Sequence, residues 1–239
     1  MHPYYVQAQP KLKKAMVGYL SLISLELETE TGVVWPQLLE EIWNCYCSDM
    51  LEHFPYIGGD KASGTSNLTG AFCFVAMGEV CCKRYGMSLD RWGQLITICY
   101  SRYFEKIPGF VRKLAGKLVS YPSLITKLLH KKDEKNSANA AVNPGSFVTK
   151  VQPATDEYPV RYDTLVCPLA NFASEFGYMD YMPYICNLDY VMFESCGVPF
   201  YREHTCASGD DYCDFKLKAN APVNSSWPCH SVTPGDHLK

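Results

Sequence analysis

The chain has 239 residues, 47% of them hydrophobic and 20% charged, which excludes a wholly disordered protein and leaves room for one large domain or two small ones. Lys and Arg number 22 against 25 Asp and Glu, a net charge of −3, so the overall charge gives no case for nucleic acid or an anionic membrane as a partner. Twelve cysteines in this length are too sparse for a secreted disulfide scaffold, and a cytoplasmic, reducing setting is expected.

At the N-terminus the positive cluster Lys11 to Lys14 precedes an apolar stretch interrupted by Ser21, Ser24 and Glu26, which is not the layout of an export signal. No apolar run approaches the ~20 residues that span a bilayer. The patterns Asn67-Leu-Thr and Asn224-Ser-Ser are read as chance matches to a glycosylation sequence. Residues 6 to about 132 read as helices: Tyr19, Leu20, Ile23 and Leu27 recur at three- and four-residue spacing, as do Leu38, Leu39, Ile42 and Tyr46 behind Pro36. Pro55, Gly58, Gly59 and Gly64 mark a loop. Further helices are predicted from about Asn67 to Tyr85, from Ser88 as N-cap to Glu105, and from Pro108 to His130 with a break at Pro122. The last carries Arg112, Lys113, Lys117 and Lys127 among Phe110, Leu114, Leu118 and Leu128. It is read as an ordinary solvated face in preference to a partner or membrane-surface helix.

Residues 133–146, rich in charge and Asn and ending in Pro-Gly, read as a linker or mobile loop. Beyond it the period changes. Phe147 to Val151 and Val160 to Val166 alternate as strands do, Leu169 to Tyr178 and Pro183 to Cys196 read as short helices, and strands follow near Phe200 to Thr205 and Cys213 to Leu217. The tail, 219–239, has no pattern and is expected to be poorly ordered. This order predicts an α+β fold: a helical region over 1–132, and over 147–218 an antiparallel sheet with two short helices on one face.

The cysteines divide in two. Cys45, Cys47, Cys73, Cys81, Cys82 and Cys99 sit among apolar neighbours and are read as core filling. Cys167, Cys186, Cys196, Cys206, Cys213 and Cys229 fall mostly at element boundaries. Thiols and carboxylates arriving from different element ends suit an activated nucleophile or zinc, and Glu203, Cys206 and Cys213 form a second possible ligand set. Buried packing remains the simpler reading of spacing alone. His204 is a candidate base by residue type, Arg161 and Arg202 could clamp a carboxylate, and nothing matches a nucleotide-binding loop.

Pro55-Tyr-Ile-Gly-Gly with Asn67-Leu68, then Ile107-Pro108, Cys167-Pro-Leu, Pro183-Tyr-Ile-Cys186-Asn-Leu-Asp189 and Arg202-x2-Thr205-x-Ala207-x-Gly209-x3-Cys213-Asp214-Phe215 together resemble the L-2-amino-thiazoline-4-carboxylic acid hydrolase family over roughly residues 4–218. The resemblance implies hydrolytic opening of a small cyclic isothiourea or amidine acid to an N-carbamoyl amino acid. Carried over, Cys186 and Cys213 would be nucleophiles or metal ligands with Cys167 a third ligand, Asp189 or Asp214 would handle the proton, and Arg202 with Thr205 would anchor the substrate. The Glu203, Cys206, Cys213 pattern is instead similar to the zinc-binding end of 4-vinyl reductase family domains, which implies a small-molecule sensor with structural zinc. The expected partner is thus a small molecule, with zinc the one cofactor suggested. An aromatic content of 13% supplies surface for a pocket or for a homo-oligomer interface alike.

Overall fold

Helical and strand periods separate along the chain as expected, and the computed structural model, which describes residues 1–218 and 221–223, is α+β. The tail expectation, and with it Cys229 and Asn224, lies outside the described residues except at 221–223. The chain forms two units, Met1–Tyr103 and a second beginning at Phe104.

The first unit contains helices α1 (Pro3–Leu20), α2 (Ser24–Thr31), α3 (Trp35–Cys45), α4 (Ser63–Tyr85) and most of α5 (Leu89–Glu105). The predicted stripe is its core: Leu20, Ile23, Leu27, Leu38, Ile42 and Tyr46 are fully buried. Ser88 caps α5 by accepting the Arg91 N–H at 3.1 Å, and the Trp92 indole donates to the Phe74 carbonyl at 3.0 Å. The Pro55 to Gly59 stretch is a structural clasp on α1. Tyr5 donates its hydroxyl to the Pro55 carbonyl at 2.8 Å, and Gly59, at φ +59°, leaves no room for a Cβ, which would stand 3.0 Å from the Tyr4 ring. Cys45, Cys73, Cys81 and Cys99 are buried, while Cys47 and Cys82 are half-buried. Burial pushes the thiols of Cys45, Cys73 and Cys81 up to about 12 and those of Cys47 and Cys82 up to about 11, which suits inert packing.

In the second unit α6 (Gly109–Lys117) stops before Pro122, which opens α7 (Pro122–Val142) in its first turn, so the predicted break occurs. Strands β1 (Val148–Gln152), β2 (Val160–Val166), β3 (Phe200–Tyr201) and β4 (Cys213–Leu217) form one antiparallel sheet in the order β1-β2-β4-β3. Helices α8 (Pro168–Phe176) and α9 (Met182–Ser195) lie between β2 and β3 in sequence. Register pairs Tyr162 with Phe215 and Thr164 with Cys213, and Asp163 with Asp214 on the other face. One face is therefore aromatic: Tyr162 stacks on Phe215 at 4.6 Å and Phe215 on Phe200 at 5.4 Å, and Tyr190 and Phe193 of α9 meet Phe200. The opposite face carries Arg161, Asp163, Asp214 and Lys216.

Two expectations need correction. Residues 133–142, expected to belong to a linker or mobile loop, continue helix α7 to Val142. The helix is held by polar bonds to β1: Asp133 accepts from the Thr149 hydroxyl at 2.5 Å and the Val151 N–H at 2.7 Å, and Asn136 donates to Thr149 at 3.0 Å. The strand expected to reach Thr205 ends at Tyr201. There the Asp214 carboxylate takes the N–H groups of Glu203 and His204, at 2.9 and 2.6 Å, that a neighbouring strand would otherwise have met.

Candidate functional site

Residues 186 and 189 stand one turn apart, so α9 presents Cys186 and Asp189 on the same side. Arg202, just past β3, reaches back to that turn. Its guanidinium donates to Asp189 Oδ2 at 2.7 Å and to the Cys186 carbonyl at 2.6 Å, and it lies 5.4 to 5.6 Å from the ring centres of Phe200, Tyr190 and Phe215. Arg202 is thus buried, with only 3% of its side chain exposed, while 36% of the Asp189 side chain meets solvent. Burial alone would lower the guanidinium pKa, but Asp189 and the neighbouring Cys186 more than reverse that and raise it. The charge of Arg202 is permanent, and two of its donors are committed inside the protein.

Asp189 lies among dense surroundings, yet water reaches it. The same holds for Cys167, Cys186 and Tyr162, each deep in the protein and each only half-buried at its surface. Burial raises the Asp189 pKa above the ordinary carboxylate value, and Arg202 opposes that without cancelling it. Lys132 of α7 is exposed and near enough to act on Asp189 in the same direction as Arg202. Asp189 Oδ2 meets Arg202, and Oδ1 makes no hydrogen bond to a described residue.

Of four thiols in this region, Cys167 and Cys186 are near enough to Asp189 to feel its charge, while Cys206 and Cys213 pair with each other. Cys167 is the N-cap of α8, with the N–H groups of Ala170 and Leu169 turned to its sulfur, but burial still pushes it up to about 12. Burial likewise holds Cys186 well above its ordinary value, although Arg202 pulls the other way. Cys213 accepts the Cys206 N–H at 3.2 Å, and the two side chains share a hydrogen bond. Such a pair titrates as a unit. The first proton of the pair leaves more easily because the remaining S–H donates to the thiolate, and of the two Cys206 is the one that meets water while Cys213 is buried.

The remaining predicted residues make contacts within the protein. Asp214 is buried, and burial would raise its pKa, but Lys216 at 2.8 Å and the N–H groups of His204 and Glu203 lower it. Thr205 is fully buried in a tight turn, its hydroxyl 3.0 Å from that of Ser208 and its N–H 2.9 Å from Asp210. His204 is part-exposed and 3.6 Å from Asp210, Arg161 donates to the Pro153 carbonyl at 3.3 Å, and Cys196 ends α9. Glu203 pairs with Lys216 at 2.6 Å. Neither zinc set assembles, and the zinc expectation is withdrawn on that geometry. Lys216 pairs with Glu203, and among the described residues no three His, Cys, Asp or Glu side chains group as a metal site requires.

Sequence reasoning missed Tyr162, Lys132 and Lys216. Lys216 was detectable, since two residues along a strand return to the same face as Asp214. Tyr162 carries only the alternation signal, and Lys132 sits in a segment without apolar periodicity.

Compared with known proteins, residues 66–217 match the model of a family described as L-2-amino-thiazoline-4-carboxylic acid hydrolase. The match starts after the Pro55 to Gly59 clasp and includes every candidate site residue. No curated protein and no solved structure matches the chain.

Proposed function

The chain belongs to the L-2-amino-thiazoline-4-carboxylic acid hydrolase family, and from that membership we propose that it opens a small cyclic isothiourea or amidine acid, such as 2-amino-thiazoline-4-carboxylate, at the solvent-reached side of Asp189. The observation that carries the reading is the Asp189 and Arg202 pair: a carboxylate of raised pKa, oriented by a buried cation, with one oxygen left for water. In the proposed reaction Asp189 Oδ1 takes a proton from a water molecule whose oxygen attacks the ring carbon between sulfur and nitrogen. The ring nitrogen gains a proton, the carbon–sulfur bond breaks as the carbonyl forms, and the departing sulfur takes the second proton. Both protons of the added water are accounted for, and the product is N-carbamoyl-cysteine. Lys132, which is exposed and pairs with no described residue, is the cation offered to the substrate carboxylate, because Arg202 is buried against Asp189 and the Cys186 carbonyl.

A second reading has one observation in its favour. The lowered pKa of Cys206 makes its thiolate the available nucleophile among the four thiols. It would displace the ring sulfur to give an S-linked isothiourea that water then cleaves. Acid-quenched intact-protein mass spectrometry during turnover separates the two. Water attack leaves the protein unmodified throughout, and a substrate adduct absent from Cys206→Ala identifies the thiolate route. If the chain releases no thiol from 2-amino-thiazoline-4-carboxylate under any condition, the substrate assignment fails.

A further inference from the structure

Seven of the large apolar side chains that the structure leaves exposed lie within one stretch of chain: Phe110 at 74%, Val111 at 40%, Leu114 at 62%, Leu118 at 37%, Tyr121 at 63%, Leu124 at 46% and Leu128 at 52%. Their direction is the unusual part. Helix α6 is seated through Arg112, which donates to the carbonyls of Ile107 and Ser195 at 3.1 and 3.2 Å, and through Gly116, where an added Cβ would stand 1.9 Å from the Cys196 carbonyl oxygen. At about 100° per residue, Phe110, Leu114 and Leu118 centre roughly opposite the Arg112 and Gly116 seam. The apolar stripe of α6 therefore points away from the protein, where a solvated helix would show its polar face.

Charge indicates what covers it. From Lys106 to Leu128 there are five Lys and Arg residues and no Asp or Glu, in a chain whose net charge is −3. Lys106, Lys113, Lys117 and Lys127 are exposed, and none pairs with a carboxylate among the described residues. The overall charge conceals this local excess. We propose that α6 and the first turns of α7 lie in the plane of an anionic phospholipid surface, with Phe110, Leu114 and Tyr121 entering the acyl boundary and the lysines meeting the headgroups. No helix among the described residues is long and apolar enough to cross a membrane, which fits attachment in the plane. A two-fold pairing of copies through this face would set basic residues against basic residues. A docked acidic peptide would need a groove, and side chains as exposed as Phe110 and Leu114 stand proud of the surface instead.

Co-sedimentation of the full chain with vesicles tests this independently of any catalytic assay. Vesicles of phosphatidylcholine with about one-third phosphatidylserine should pull the protein down at low salt, and phosphatidylcholine alone should not. Lys113→Gln with Lys117→Gln should weaken binding roughly 30-fold, and Phe110→Ser with Leu114→Ser should abolish it, both with an unchanged far-UV circular dichroism spectrum. Equal binding to both vesicle types, no binding to either, or binding indifferent to these substitutions would overturn the proposal. A monomer–dimer equilibrium abolished by Phe110→Ser with Leu114→Ser, without vesicle binding, would assign the face to a second copy.

Discussion

Asp189 and Arg202 are coupled through one hydrogen-bonded contact at 2.7 Å, and that coupling has a pH signature. A general base works only when ionised, so activity should rise with pH through the Asp189 pKa, and the acid limb should lie above the ~4 of an ordinary Asp. Arg202 lowers that pKa against the effect of burial, so Arg202→Lys, which cannot hold Asp189 and the Cys186 carbonyl with one planar group, should move the limb to higher pH. A limb unmoved by the substitution would detach Arg202 from the proton step. Asp214 behaves in the opposite sense. Its folded pKa is lowered, so the stability it contributes is present above about pH 4 and lost as pH falls through the lower folded value. Asp214→Asn should cost about 2 kcal/mol near neutrality, measured by urea unfolding, with the gap from wild type closing on acidification below about pH 4.

Among the elements, α6 rests on a single close approach. Gly116→Ala should destabilise the second unit by about 1 to 3 kcal/mol, because a methyl group cannot share space with the Cys196 carbonyl. Gly109→Ala, whose Cβ would meet nothing closer than 3.9 Å, is the control and should be near neutral. Thermal unfolding of the two variants checks the difference. Elements with an apolar period were legible in the sequence: α3, α4 and α5, the β1 and β2 strands, and the break at Pro122. The course of α7 beyond Leu128 was not. Its inner face is Asp133, Asn136 and Asn139, a polar stripe at three-residue spacing that bonds to Thr149, Val151 and Ser146, and a hydrophobic pattern cannot register it. The end of β3 was hidden for a related reason, since a side-chain carboxylate from β4 replaces a backbone ladder. Cys186 and Asp189 could be placed together from their spacing on α9, whereas the return of Arg202 to that turn depends on tertiary structure alone.

On the scale of the whole molecule, the described cysteines separate by chemistry. The thiols of the first unit with pKa values of about 11 to 12 should resist iodoacetamide at neutral pH in the folded state, while Cys206 should alkylate first, as peptide mapping over time would show. Rapid labelling of Cys73 or Cys81 would contradict the packing role. Charge is similarly uneven. A chain of net −3 carries an acid-free basic stretch beside exposed apolar side chains, and an average over its full length cannot reveal it.

The central claim is hydrolytic ring opening with Asp189 as the base. It is tested most directly by incubating wild type and Asp189→Asn with 2-amino-thiazoline-4-carboxylate and following the free thiol and the N-carbamoyl-cysteine mass. The wild type should release one thiol for each ring opened, and Asp189→Asn, folded as judged by circular dichroism, should be slower by about 100-fold or more. Equal rates in the two proteins would contradict the role of Asp189, and a wild type without turnover would contradict the reaction itself.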